Sequence, residues 1–173
     1  MSIDPSIIIT TVGGANSNSY VTLAEFIDYA DLQLGVEPYR TASVDDRIRA
    51  LLMAAQRLDR ENWLGSPVST TQSLAWPRND VRRPNQVYSF QFSFWNDTFR
   101  FDEIPKVVKI AQYELAFAYL DGFEQSSDRD IDQFTTDGIT IKYSASGGSE
   151  YDLPVRVASL IGRLIQGNRL IRA

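Results

Sequence analysis

Asp128-Arg129-Asp130-Ile131-Asp132 sets three carboxylates at alternate positions, the spacing with which an EF-hand loop begins to wrap a calcium ion. The rest of such a loop is missing: its sixth position, which needs glycine, is Gln133, and its twelfth, which needs a bidentate glutamate, is Ile139. No metal is expected. Ser144-Ala145-Ser146-Gly147-Gly148-Ser149 places hydroxyls beside glycines but lacks the Gly-x-Ser-x-Gly elbow, and the chain has no histidine to activate a hydroxyl. Gly13-Gly14 has neither a Walker lysine nor dinucleotide spacing. The carboxylate pairs Asp45/Asp46 and Asp102/Glu103 adjoin helix starts, where the helix dipole favours them without catalysis. The strongest binding signal is basic and aromatic: Arg78, Arg82 and Arg83 near Trp76 and Tyr88, a set suited to stacking on a nucleic acid. Asp80 in its midst opposes that use.

The missing residue types narrow the field further. With no cysteine there is no disulfide framework, thiolate nucleophile or thiolate metal site, and without histidine the commonest general base near neutral pH is lost. No catalytic residue and no cofactor are expected, and the chain is read as a non-enzyme. A net charge of −5 argues against a DNA-coating protein, which displays a basic face to phosphates. Charge is also segregated. Asp121 to Asp137 holds six acids against Arg129 alone, and the segment from Tyr151 onward holds Asp152 against Arg156, Arg163, Arg169 and Arg172. This suits either head-to-tail contact between copies or two solvated surfaces.

Four helices, a β-hairpin and a short strand must position these residues. Thr22-Leu23-Ala24-Glu25 has the capping-box pattern, and Leu23, Phe26, Ile27, Ala30 and Leu34 follow at helical spacing until Gly35 and Pro38 end the helix at about Leu34. Ser43-Val44-Asp45-Asp46 opens a second helix, near residues 43 to 61, with Ile48, Leu51, Leu52, Ala55 and Leu58 as its stripe. Residues 70 to 83 read as a loop, extended at Ala75-Trp76-Pro77-Arg78 because proline pushes its predecessor out of the helical region. Phe90, Phe92 and Phe94, the turn at Trp95, and Phe99 and Phe101 alternate as a β-hairpin over 87–102. Its five-phenylalanine face must cover either this chain's own helices or a neighbouring subunit. Pro105 starts a third helix through Val107, Val108, Ala111, Leu115, Ala118 and Tyr119 to Gly122. Ile139–Tyr143 reads as a short strand, and Pro154 begins an amphipathic helix ending at Gly167-Asn168, with Arg169 to Ala173 as a loose tail.

The fold class expected is mainly α: a single domain over 1–173, a small bundle of about four helices with a helical core at about 20–122. The hairpin insertion, an acidic loop and strand at 123–148, and a C-terminal helix and tail at 154–173 complete it. Met1 to Tyr20 lacks the features of a signal peptide, and no apolar run approaches the roughly 20 residues that cross a bilayer, so synthesis in the cytoplasm and no membrane partner are expected.

The order of five stretches carries a resemblance: Asn18-Ser19-Tyr20-Val21-Thr22-Leu23-Ala24-Glu25; Ala55-Gln56-Arg57-Leu58-Asp59 with Trp63-Leu64-Gly65; Gln72-Ser73-Leu74-Ala75-Trp76-Pro77-Arg78; Ile104-Pro105-Lys106-Val107-Val108-Lys109; and Glu114-Leu115-Ala116. Together they resemble the head-to-tail adaptors, or head-completion proteins, of the tailed-bacteriophage neck. That family is also catalogued as DnaT-like single-stranded DNA-binding proteins, which supplies the alternative function. The adaptor resemblance implies a virion protein made in the host bacterial cytoplasm, a ring of twelve copies beneath the portal, contact with the portal protein and with a tail, tail-terminator or nozzle protein, and packaged double-stranded DNA passing through the ring. It further implies Val157, Leu160, Ile161, Leu164, Arg169, Leu170, Ile171 and Arg172 as portal-docking candidates, so that truncation after Gly148 would leave the helical core folded. Phe90, Phe92, Phe94, Trp95, Phe99 and Phe101 are the candidates for subunit or tail contact. Trp76, Pro77 and Arg78 are expected to fix the loop between the second and third helices, with Arg78 also offered to an acid of a neighbour. The resemblance breaks between Pro84 and Asp102, where the phenylalanine-rich segment replaces a short turn.

Overall fold

The computed structural model describes residues 2–84, 98–123 and 153–166, together with the backbone of 133–136 and 139–142. Among these the fold is mainly α, with five α-helices and two small antiparallel two-stranded sheets. An N-terminal arm, with a 3-10 turn at Pro5–Ile7, runs to the first helix. Asn18 holds it in place: its amide accepts from the Ile9 N–H and donates to the Ile7 carbonyl, both at 2.8 Å.

Helix α1 spans Leu23–Asp31, and its capping box forms as the spacing predicts. The Thr22 hydroxyl accepts from the Glu25 N–H at 3.1 Å, while the Glu25 carboxylate accepts from the Thr22 N–H at 2.8 Å. Helix α2, Glu37–Thr41, was not foreseen. Pro38 reads in sequence as a terminator, yet here it stands in the first turn of a new helix, where its missing N–H costs nothing. The first helix therefore ends at Asp31 instead of Leu34, and Gly35, at φ +74°, turns the chain between the two. Helix α3, Val44–Asp59, is capped by Ser43, whose hydroxyl accepts from the Asp46 N–H.

The stretch from 70 to 83, expected as a loop, carries a short strand. Strand β1, Ser66–Pro67, pairs with β2, Arg78–Asn79. Helix α4 spans Lys106–Leu120, β3 and β4 pair as Gln133–Thr136 with Ile139–Lys142, and α5 covers Val155–Ile161. The strand expected at 139–143 is thus present, with a partner that falls inside the stretch read as an acidic loop. The last helix is shorter than its periodicity suggests, because beyond Gly162 the chain tightens so that Ile165 bridges to Trp63 and the Leu64 N–H donates to the Leu164 carbonyl at 2.8 Å.

Helix α4 is the axis of the core. Residues Ala111 through Ala116 are all buried, so every side of its middle turns faces protein. A helix surrounded in this way must satisfy its polar groups internally. Gln112, fully buried, does so three times: Oε1 accepts from the Tyr20 N–H at 3.1 Å, and Nε2 donates to Ser19 Oγ at 2.8 Å and to the Leu51 carbonyl at 3.0 Å. One amide thereby ties the end of the N-terminal arm and the middle of α3 to α4. Around the other side, Phe26, Tyr39, Tyr113 and Phe117 pack ring on ring, with centroids 5.0 to 5.9 Å apart.

Gln112→Ala leaves the buried Tyr20 N–H without its acceptor and opens a void, so it is expected to lower stability by about 3 kcal/mol, or roughly 6 to 12 °C in melting temperature for a chain of this size. Urea and thermal unfolding followed by circular dichroism measure it; a change under about 0.5 kcal/mol, the range of an ordinary surface substitution, would show the amide to be dispensable.

Candidate functional site

The basic-aromatic cluster is the first candidate, and the fold turns its centre inward. Trp76 is 1% exposed, packed edge-on to Trp63 at 5.6 Å and to Phe99 at 5.9 Å between ring centroids. The peptide bond between Trp76 and Pro77 is cis. Arg78, 9% exposed, directs its guanidinium at main-chain oxygens: Nε donates to Leu64 at 2.7 Å, Nη2 to Gly65 at 2.8 Å and Trp63 at 3.3 Å, and Nη1 to Ala75 at 3.2 Å. Burial lowers its pKa from the usual arginine value, against the pull of Tyr20 and Asp59. A planar fork with five donors is the one side chain able to gather four carbonyls in this way. Asp59 completes the arrangement from α3, accepting from the Tyr20 hydroxyl at 3.0 Å and from the Ala75 N–H. The close packing extends to Gly65, at φ +70°, where a Cβ would stand 2.1 Å from the Asn79 carbonyl oxygen.

Trp76, Pro77 and Arg78 therefore fix the crossing between α3 and α4, and Arg78 is bonded within its own chain instead of offered to a neighbour. Of the remaining cluster, Arg82 is exposed and Arg83 is half-buried. Arg83 donates to the Thr98 carbonyl at 3.1 Å, pairs with Glu103 at 3.2 Å and lies over the Phe99 ring at 5.5 Å. Tyr88 lies outside the described residues.

The other chemical candidates are absorbed by structure. Gly14 accepts through its carbonyl from the Ser73 N–H, Asp45 holds the Ile3 N–H, Asp46 pairs with Arg49, and Asp102 pairs with Arg100. The Asp128–Asp132 and Ser144–Ser149 stretches fall outside the described residues, among which no cluster of acids fits a metal ion.

Of the contact candidates, Phe90, Phe92, Phe94 and Trp95 also lie outside the described residues. Phe99 and Phe101 do not share a face as alternation predicts: Phe99 packs against Trp76, whereas Phe101 is 63% exposed in a turn held by the Arg100–Asp102 pair. The docking candidates need a correction as well. Val157, Ile161 and Leu164 are fully buried against the helical core, and Leu160 packs on it half-exposed, so the apolar face of α5 is already covered by its own chain. Arg169, Leu170, Ile171 and Arg172 lie outside the described residues.

A second candidate, which sequence reading missed, is a groove of about 240 Å³ between the α1–α2 turn, the end of α4 and the start of α5. Val36, Phe117 and Val157 line it, with Glu114 and Asp121. The Glu114 side chain, 5% exposed, accepts from the Tyr29 hydroxyl at 2.6 Å and pairs with Arg156 at 3.1 Å. Burial, followed by the Glu114 carboxylate, pushes the Tyr29 hydroxyl up to about 12. Its only sequence signal was Leu34, counted toward the apolar stripe of α1 but in fact 98% exposed beside Gly35.

The fold and its lock define a mainly α protein whose most distinctive motif is structural. Residues 6–173 match the family described as "Putative DnaT-like ssDNA binding protein", and the chain belongs to that family. No curated protein and no solved structure matches it.

Two variants test the assignment of these residues to the fold. Arg78→Lys keeps the charge but loses the fork, and should cost about 2 to 3 kcal/mol in thermal unfolding; an unchanged transition would free Arg78 for another role. A chain ending at Gly148 loses three buried aliphatic side chains worth roughly 1.5 to 3 kcal/mol each, comparable with the roughly 5 to 15 kcal/mol that holds a domain together. It should lose its near-ultraviolet circular dichroism and bind a hydrophobic dye, whereas a native-like spectrum would make α5 an appendage.

Proposed function

We propose that the chain is a structural subunit of the tailed-phage neck, an adaptor forming a ring between portal and tail through which packaged double-stranded DNA passes. It is made in the host cytoplasm, ends in the virion and transforms no substrate. The observation that carries this reading is the inward commitment of Trp76 and Arg78, because these were the residues best suited to holding a nucleic acid. The net charge of −5 supports it too: a channel wall without a basic field lets DNA slide instead of gripping it. The contacts to portal and tail belong to exposed segments, not to the buried face of α5.

A second reading, single-stranded DNA binding, is favoured by the family to which the chain belongs. The two differ in salt dependence. A protein that neutralises several phosphates loses on the order of 10³-fold in affinity between about 50 and 200 mM salt. Fluorescence anisotropy with an oligo-dT strand at these two concentrations should detect no such binding by the purified chain. Phage particles made without the gene should accumulate as filled heads without tails when viewed by electron microscopy. Tight, salt-sensitive binding together with normal necks in the deletion would replace the adaptor reading with the DNA-binding one.

A further inference from the structure

Ile7-Ile8-Ile9-Thr10-Thr11-Val12 is a run of six β-branched residues, the side chains that best suit a strand, and no charged residue stands between Asp4 and Glu25. The chain is extended at Ile8, with φ −80° and ψ 112°. Its side chains alternate as in a strand: Ile7, Ile9 and Thr11 are exposed, whereas Ile8 and Thr10 are half-buried, Ile8 against the core. Successive peptide groups of a strand point to opposite edges, and here one edge is filled. Asn18 binds the Ile7 carbonyl and the Ile9 N–H through its side-chain amide. The Asn18 and Ser19 N–H groups donate to the Ile9 carbonyl at 3.0 and 3.3 Å, and the Gly14 N–H donates to the Thr11 carbonyl at 3.0 Å. The other edge carries one bond, from the Ile8 N–H to the Pro5 carbonyl at 3.1 Å. Among the described residues, nothing bonds the Ile8 carbonyl, either backbone group of Thr10, or the Val12 N–H. Open strand edges are commonly blunted by a charge or a proline, and this run has neither.

We propose that this edge pairs with the same segment of a second copy of the chain, antiparallel about a two-fold axis at Thr10. The free groups select that occupant. A two-fold pair of strands needs at its centre a residue whose N–H and C=O are both free on one edge, and Thr10 meets that need. Two bonds then join Thr10 to Thr10 across the axis. On either side of it the Val12 N–H of one copy meets the Ile8 carbonyl of the other, so every group left free on the edge is used. Directly opposed residues share a face, so Ile9 of each copy stands against Thr11 of the other on the outer face, where a single copy leaves both in water. The uncharged run lets two copies meet without a like-charge cost. Such a contact is isologous and closes a pair. It therefore goes beyond the adaptor reading, whose ring needs a heterologous contact, and it needs neither portal nor tail.

The test uses full-length chains altered at exposed or unbonded groups. Ile9→Lys sets like charges diagonally across the pair, and Thr10→Pro removes the central N–H, which bonds nothing in its own chain. Sedimentation velocity over rising concentration should show that the unaltered chain dimerises and that each variant does so about tenfold more weakly, with an unchanged far-ultraviolet circular dichroism spectrum. Mixing Ile9→Lys with Ile9→Glu should restore the pair as a heterodimer. Amide hydrogen exchange supplies a second readout: the Thr10 N–H should slow as concentration rises, whereas the Ile9 N–H, already bound to Asn18, should not change. A chain that stays monomeric at every concentration, variants that dimerise as well as the parent, a mixture that stays monomeric, or a Thr10 amide indifferent to concentration would each overturn the proposal. So would an Ile9→Lys chain that still dimerises but loses the portal or tail protein in a pull-down, because the edge would then belong to that protein. Loss of tails in the gene deletion remains a separate observation, so either proposal can fail without the other.

Discussion

Sealing α4 on all sides obliges its polar groups to find partners within the protein, since an unpaired buried polar group costs as much as several methylenes gain. That constraint sets the relative placement of the surrounding elements. Gln112 binds the arm at Ser19 and Tyr20 and α3 at Leu51. Two turns of the same helix bind α1 and α5: Lys109 pairs with Glu25 at 2.8 Å, and Glu114 takes Tyr29 and Arg156 together. Apolar burial would hold these elements against α4 in several registers, but directional bonds at Gln112 and Glu114 select one.

The second organising feature, the lock around Arg78, solves a problem the first creates. The connection from α3 to α4 must cross the core's edge, and Trp63, Leu64, Gly65 and Ala75 present carbonyls there that helix and sheet do not use. A guanidinium gathers them, and Trp76 fills the space beside it with its ring. Sequence alone makes this motif look like a binding site because arginine and tryptophan serve both purposes equally well. Burial decides between them: a side chain that is 1% exposed has no face left for a nucleobase.

Much of the fold could be read from residue types. The capping box at Thr22 and Glu25, the Ser43 cap and the stripe through Ile48, Leu51 and Leu58 are local signals, and local signals place α1, α3 and α4 to within a few residues. What escaped reading depends on distant partners. Strand β1 is two residues long and exists only because Arg78 and Asn79 lie beside it. Helix α5 stops early because Leu64 and Trp63, about a hundred positions away, capture Leu164 and Ile165. The amphipathic pattern of α5 was correctly seen, but periodicity reports that a face will be covered without saying by what, and here the chain covers its own. Of the candidate site, the motif Trp76-Pro77-Arg78 was visible and its structural role was expected; the groove was not, because it is assembled from three separated segments.

The inward turn of α5 has a consequence for partner contacts. Among the described residues, the strongly exposed large apolar side chains now sit in loops and helix ends: Leu32 and Leu34 before α2, Phe101 before α4 and Val155 at the start of α5. Near Phe101 the cation is already matched. Arg100 grips Asp102 through two bonds of 2.8 Å, and Arg83, over Phe99, pairs with Glu103. A phosphate approaching either ring would have to displace a carboxylate that the fold holds in place, and these exposed pairs are individually weak but collectively leave little positive field. An apolar protein segment faces no such competition. It needs only surface to cover, and the ion pairs around each patch then serve as its polar rim. Among the described residues, the surface around these exposed apolar side chains is thus better matched to an apolar segment than to a phosphate.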